Sequence, residues 1–207
     1  MAVIDEDHQK ALEEVALFYD ERKVGDVGPL GFRRSTDLLR LSACLPGLLE
    51  SRVIEPGKTR FLDLGCADGR VNVFLSYMVD ISVGVELDDW TLDEYGPLRS
   101  GLDRVLKEKG LLSLPENTFL FHGDSTDDRV HKTIKDKTGV RFDEFDLFYT
   151  YLVMHQEFAE LIGRKAKKGA VFMVYGVSSI MPRYDGFRLL EDISPMEGIL
   201  ALYEKIL

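Results

Sequence analysis

Carboxylates and glycines recur where short apolar runs give way to helical patterning. The first cluster is Asp63-Leu64-Gly65-Cys66-Ala67-Asp68-Gly69-Arg70, at the end of the apolar run Phe61–Leu64. Gly65 and Gly69 permit a tight turn and a close approach of backbone to a bound molecule. Their G-x-x-x-G spacing is not the G-x-G-x-x-G of dinucleotide loops, and no Gly-Lys-Ser/Thr ending of a triphosphate loop follows. The second cluster is Glu86-Leu87-Asp88, with Glu86 closing the run Ile81–Glu86, 23 residues beyond Asp63. A carboxylate at such a strand end can accept both hydroxyl hydrogens of a ribose. The third is Gly123-Asp124-Ser125 after the run Thr118–His122, where Asp124 can accept a hydrogen bond from an adenine amino group.

The elements that must position these groups follow from the hydrophobic period. Asp5 to Arg22 carries Ala11, Leu12, Val15, Phe18 and Tyr19 at helical spacing. A Gly/Pro-rich break follows at residues 25–31, and a second apolar helix runs from about Thr36 to Arg52. Thr36 or Ser35 is its expected N-cap, and Pro46 is expected to bend it. Pro56-Gly57 closes a helical annex over residues 1–57. From there to residue 207 short apolar runs alternate with helical ones: Phe61–Leu64, Ile81–Glu86, Thr118–His122, Phe145–Tyr151 and Ala170–Gly176. Helical patterns fall at Val71–Val79, around Leu98 to Leu106, and from Phe158 to Lys165. Near-continuous apolar strands between helices mean a parallel sheet covered on both faces. Phe187–Ile193 and Ile199–Ile206 read as a terminal hairpin. The expected fold is α/β and doubly wound, with seven strands in a mostly parallel sheet. In such sheets ligands bind outside the carboxyl ends of the strands, which is where all three clusters lie.

Composition narrows the class. The 207 residues are 45% hydrophobic and 30% charged, with a net charge of −10. A chain of this length buries about 70% of its unfolded surface and needs no staples. No apolar stretch approaches the roughly 20 residues of a membrane span. The first ten residues, MAVIDEDHQK, are acidic where a secretory leader is basic and then apolar, so a cytoplasmic protein is expected. Cys44 and Cys66 form no disulfide framework, and the histidines lack metal-ligand spacing. The acidity argues against grip on phosphate backbones, so no direct nucleic-acid binding is expected. It favours a cationic partner, either a basic protein surface or a small positive molecule.

Asp63, Asp68, Glu86 and Asp124 would surround one crevice, with Arg70 the basic residue among them. A pyrophosphate would be repelled there, whereas a cofactor with a cationic head and a ribose-adenine tail fits. S-adenosylmethionine is such a molecule. At this point the chain resembles the class I, seven-strand S-adenosylmethionine-dependent methyltransferases. Phe61 to Gly69 is similar to the first motif of that family, D/E-x-G-x-G-x-G, with Ala67 at the middle glycine. Val85-Glu86-Leu87-Asp88 is similar to the second motif and Gly123-Asp124 to the third, and residues 187–206 match antiparallel sixth and seventh strands. The resemblance covers about residues 60–207. It implies Asp63 beside the methionine moiety and Gly65, Cys66, Ala67, Asp68 and Gly69 along the cofactor. Glu86 would take the ribose and Asp124 the adenine, with Leu87 and Ser125 also among the cofactor-binding residues.

For the acceptor, no (N/D)-P-P-(Y/F) follows strand four. Tyr149-Thr150-Tyr151-Leu152 and Ile199-Leu-Ala-Leu-Tyr203-Glu-Lys205 resemble instead a protein-lysine branch of the family. Methyl transfer is an in-line displacement, so positioning the nucleophile is the main task. Tyr149 and Tyr151 are the expected catalytic residues, orienting an amine and offering it electron-rich faces. One of the two is expected to face the core, on the premise that alternate strand residues point oppositely. Tyr19, Arg33, Arg34, Ser35 and Thr36 of the annex could cover the cofactor or shape a substrate pocket, and His155 could help a substrate lose a proton. The expected activity is methyl transfer to an amine, possibly a protein lysine. The alternatives are a small-molecule methyltransferase or a module of the same fold that binds without catalysis.

Overall fold

The computed structural model describes residues 4–22, 35–177 and 181–207. The glycine-rich break at 25–31 and Arg33 and Arg34 lie outside the described residues. Helix α1 (Glu6–Asp20) starts where the Asp5 carboxylate accepts the His8 N–H, and it buries Ala11, Leu12, Val15, Ala16 and Tyr19. This is the apolar stripe set by the 3.6-residue period. Helix α2 (Leu38–Glu50) contains Pro46 and is capped by Asp37, whose side chain accepts the Arg40 N–H. Asp37, rather than Ser35 or Thr36, is therefore the N-cap. The Thr36 hydroxyl is engaged elsewhere, with Tyr149.

Among the described residues seven strands form one sheet in the order β3-β2-β1-β4-β5-β7-β6. They are β1 (Arg60–Asp63), β2 (Ile81–Glu86), β3 (Thr118–His122), β4 (Leu147–Tyr151), β5 (Val171–Tyr175), β6 (Phe187–Leu189) and β7 (Leu200–Lys205). Strands β1 to β5 are parallel, as their apolar runs predict. The hairpin differs from expectation in one respect. β7 inserts between β5 and β6 and pairs antiparallel with both, so β6 runs with the parallel strands.

Strand residues alternate strictly between two cores. Phe61, Leu147, Tyr149, Met173 and Tyr175 join α1, α2, α3 (Arg70–Leu75) and α5 (Tyr95–Glu108) on one face. Leu62, Val83, Val85, Phe148, Phe172 and Val174 join α6 (Asp128–Thr138) and α7 (His155–Lys165) on the other. The short α4 (Asp89–Asp93) leads into α5. The α6 helix is not legible as a helix in the sequence, because Ile134 is its one buried residue, Val130 is only partly buried and the rest is polar. Among the described residues no helix is long and apolar enough to cross a membrane.

The crossing direction reverses at β1, whose neighbours are β2 and β4. The crevice for a ligand opens there, above the carboxyl ends of those strands. Gly84 lets the floor of this crevice close. A Cβ at Gly84 would fall 2.7 Å from Asn72 Oδ1, Cys66 Cβ and Leu120 Cδ2. Gly84→Ala is expected to lower stability by about 2–3 kcal/mol through overpacking. A thermal melt within 1 °C of wild type would show that α3 can shift to make room.

Candidate active site

The loop between β1 and α3 is built around two carboxylates. Asp63 ends β1 and accepts the Gly65 N–H at 3.1 Å. Glu86 ends β2 and accepts the Ala67 N–H and the Asp88 N–H, each at 2.9 Å. These bonds set the orientation of the Glu86 carboxylate across the loop. Cys66 N–H donates to the Val85 carbonyl at 2.9 Å and Gly69 N–H to the Cys66 carbonyl at 2.8 Å. Ala67 and Gly69 both sit in the left-handed region, with φ of 48° and 77°. That backbone explains why a glycine belongs at position 67, and Ala67 carries a strain of about 1 kcal/mol in its place. A Cβ added at Gly65 would meet no atom within 4 Å, so the loop faces open space there.

The third strand end is tied to the first. The Ser125 hydroxyl donates to the Leu64 carbonyl at 2.8 Å, and the Ser125 carbonyl pairs with His131 Nε2 at 2.7 Å. Ser125 is thereby a strut between loops. Asp124 is exposed, and its Oδ1 accepts the backbone and side-chain donors of Thr126. Leu87 is 67% exposed beside Glu86, and His122 Nε2 donates to the Leu87 carbonyl. The structure thus brings Asp63, Gly65, Cys66, Ala67, Asp68, Gly69, Glu86, Leu87, Asp124 and Ser125 to one end of the sheet.

Asp68 is held within the protein. It grips Arg70, with Nη2 to Oδ2 at 2.9 Å and Nε to Oδ1 at 3.1 Å, and both residues are buried. Arg70 Nη1 also reaches the Thr36 carbonyl at 3.4 Å and Asp20 Oδ1 at 3.9 Å. Asp20 accepts the Leu38 and Leu39 N–H groups, each at 2.9 Å. One buried guanidinium therefore joins the glycine loop, the end of α1 and the start of α2.

Tyr149 and Tyr151 lie on the same face of the sheet, against Tyr175 at ring separations of 6.5 and 5.6 Å. The expectation that they point oppositely is corrected: residues two apart share a face, and the intervening Thr150 points the other way. Tyr149 is fully buried with its hydroxyl bound to Thr36, while Tyr151 is half-buried at the strand end. Beyond it Leu152, Val153 and Met154 are exposed. His155 Nδ1 lies 2.7 Å from the Tyr184 hydroxyl, joining the segments after β4 and β5. Reasoning from sequence missed Tyr175 and Trp90. Tyr175 ends β5 and was available to the strand-end rule. Trp90, the single tryptophan, is 82% exposed and lines a cavity of about 490 Å³ with Phe18, Arg22, Asp93, Glu94 and Pro97.

Burial raises the Asp63 carboxyl to about 8, with the charges of Glu86 and Asp68 adding to the effect. The same surroundings push the Cys66 thiol well above its usual value, which makes it a packing group rather than a nucleophile.

No protein-family model matches the sequence, and no curated protein matches it. Solved structures do. The chain is similar to an RNA methyltransferase from Salinibacter ruber, crystallised with S-adenosyl-L-homocysteine, at 16% identity and a TM-score of 0.53, over 84% of this chain and 94% of that one. It is similar to the Escherichia coli protein yhhF at 15% identity and a TM-score of 0.53, over 86% and 90%. It is similar to a tRNA methyltransferase from Aquifex aeolicus at 12% identity and a TM-score of 0.52, over 95% and 76%. The fold is the seven-stranded, Rossmann-like methyltransferase fold.

Two expectations change with this comparison. The exclusion of a nucleic-acid partner is overturned, since chains of this fold include an RNA and a tRNA methyltransferase. A net charge summed over the chain does not describe each face: Arg129, Lys132, Lys135 and Lys137 stand exposed on α6. The likeness to a protein-lysine branch finds no support in these three structures. Its segment 199–205 has a packing explanation, since Leu200, Leu202 and Tyr203 are core and the Lys205 ammonium donates to the Ala166 carbonyl.

The Asp63 carboxyl gives a test by titration. Asp63→Asn keeps an oxygen for the Gly65 N–H and removes the ionisable proton. With a folded value near 8 against an ordinary 3.8, native Asp63 holds a proton that the unfolded chain releases. Wild-type stability should then fall through this group as pH rises from about 4 to about 8. The Asn variant lacks that fall, so its melting advantage is expected to grow across the same window. A difference independent of pH would mean that Asp63 titrates normally.

Proposed function

We propose that this protein is an S-adenosylmethionine-dependent methyltransferase acting on a nitrogen nucleophile. The observation that carries the reading is the convergence of Asp63 and Glu86 on a glycine loop whose neighbouring guanidinium, Arg70, is occupied by Asp68. Carboxylates placed in this way suit a sulfonium and an ammonium better than a pyrophosphate. The open space above Gly65 and the resemblance of residues 61–69, 85–88 and 123–124 to the family motifs support the same cofactor. When bound, S-adenosylmethionine supplies a methyl group on a cationic sulfur, which a nucleophile displaces in line.

The roles of the chain's own groups follow. Asp63 binds the positive end of the cofactor and releases the proton it holds near neutral pH. Glu86 orients the ribose hydroxyls, Leu87 covers the base and Asp124 accepts its amino group. Ser125 holds the third loop against the first. Tyr149 acts through Thr36 to fix the β4 end, and Tyr151 lines the acceptor side with an electron-rich face. Thr36 and Asp20 hold the described part of the annex against the glycine loop through Arg70. A nitrogen acceptor delivered in its neutral form needs no dedicated base, so positioning and exclusion of water suffice. The acceptor is RNA, as for the RNA methyltransferase from Salinibacter ruber and the tRNA methyltransferase from Aquifex aeolicus, or an amine such as a protein lysine.

Calorimetric titration tests the cofactor. Micromolar binding is expected, tightening as pH rises from about 6 to about 8 with net proton release at the lower pH, because the ionised Asp63 is the binding form. Glu86→Ala is expected to weaken binding by at least about 10-fold through lost charge-assisted hydrogen bonds. Unchanged affinity in that variant would remove the ribose assignment. Incubation with methyl-labelled cofactor and a cell lysate then reads the acceptor. Label in RNA, in a protein band or in the low-mass fraction assigns the class, while tight binding without transfer favours the non-catalytic alternative.

A further inference from the structure

Among the described residues four buried side-chain polar atoms lack a hydrogen-bond partner: the Tyr19 hydroxyl, Asn72 Oδ1, Asn117 Oδ1 and Thr118 Oγ1. Asn72 and Asn117 satisfy their amide nitrogens in the fold, the first on Ser82 and the second on the carbonyls of Ser76, Val79 and Asp80. Thr118 opens β3 at the amino end of the strand, away from the crevice. Tyr19 is different. It is fully buried in the last turn of α1, and its ring carries the Arg70 guanidinium at 5.6 Å.

The phenol sits at the turn Asp68-Gly69-Arg70. Asp68 and Tyr95 lie close enough to act on it electrostatically, and Tyr95 packs on Gly69, where an added Cβ would fall 2.8 Å from its ring. Asp68 does not accept the phenol proton. Its oxygens are held by Arg70 Nε and Nη2 and by the Arg70 backbone N–H. A buried donor with no acceptor lowers stability, so one retained beside a ligand loop indicates a partner that arrives with the ligand.

The direction of the crevice says which part of the ligand that is. Glu86 on β2 and Asp124 on β3 mark the ribose and adenine under the function proposed above, so the amino-acid tail runs the other way, toward β1, β4 and the annex. Asp63 serves the ammonium there. The group left for a neutral donor next to a guanidinium is the carboxylate.

We infer that the Tyr19 hydroxyl donates a hydrogen bond to the carboxylate of the cofactor's amino-acid tail, which makes α1 part of the cofactor site. The inference rests on the cofactor reading and assigns a binding residue that the family motifs do not include.

The test is Tyr19→Phe, which keeps the ring on Arg70 and removes only the oxygen. Thermal melts read the ligand-free protein, and calorimetry reads S-adenosylhomocysteine and methylthioadenosine, which has the same nucleoside and thioether but no amino-acid tail. The variant is expected to melt at or above the wild-type temperature. It should bind S-adenosylhomocysteine about 10- to 100-fold more weakly, the loss expected for a hydrogen bond to a charged group, and methylthioadenosine unchanged. Equal weakening of both compounds, or of neither, overturns the assignment of Tyr19 while leaving the cofactor reading in place. Wild-type protein that binds neither compound overturns both. A melting temperature clearly below wild type also overturns the assignment, because it means the hydroxyl already has a partner in the free protein.

Discussion

Three carboxylates crowd the carboxyl end of β1 and β2, and a buried guanidinium holds one of them. Asp68 is paired in two-pronged fashion with Arg70, while Asp63 and Glu86 take backbone donors of the glycine loop. Much else in the structure follows from that crowding. A buried acid is accommodated by donors that hold its charge or by keeping its proton. Glu86 takes the first route, through Ala67 and Asp88. Asp63 takes the second, held near a value of 8 by burial with one backbone donor.

The same guanidinium binds the two parts of the chain. Arg70 reaches Thr36 and Asp20 while holding Asp68, and Asp20 in turn caps the first N–H groups of α2. Breaking a buried pair of this kind costs far more than the pair contributes on formation, because the remaining charge is left uncompensated. The annex is thereby coupled to the glycine loop and not merely laid over the sheet. Its apolar stripe adds a continuous core with α3 and α5, so position and contact are secured by different forces.

The opposite layer shows why total charge is a poor guide to partners. With 36 acidic against 26 basic residues, the chain is strongly acidic. Yet α6 exposes Arg129, Lys132, Lys135 and Lys137 beside Asp128 and Asp136, with Arg129 paired to Asp127, while Lys165 at the end of α7 pairs with Asp128 and Lys167 beyond it with Asp146. Association with a polyanion depends on the local field within about one Debye length, roughly 8–10 Å, and not on the sum. The architecture accommodates nucleic-acid acceptors in other chains of this fold, and nothing in its charge total prevents one here.

Much of the fold was written in period and punctuation. β2 and β3 span the residues their apolar runs indicate, and the glycine loop lies between a strand and a helix as its composition requires. The positions of Asp63, Glu86 and Asp124 at successive strand ends were equally legible, because a strand end is a local property. Other features were fixed by contacts between distant residues. The Thr36–Tyr149 bond spans 113 positions, and the reach of Arg70 to Asp20 spans the gap from α1 to α3. The raised Asp63 carboxyl, the orphaned Tyr19 hydroxyl and the insertion of β7 between β5 and β6 are of the same kind. Sequence spacing determines which way a side chain points along its own helix or strand. What it meets, and whether it meets water, is decided only when the layers pack.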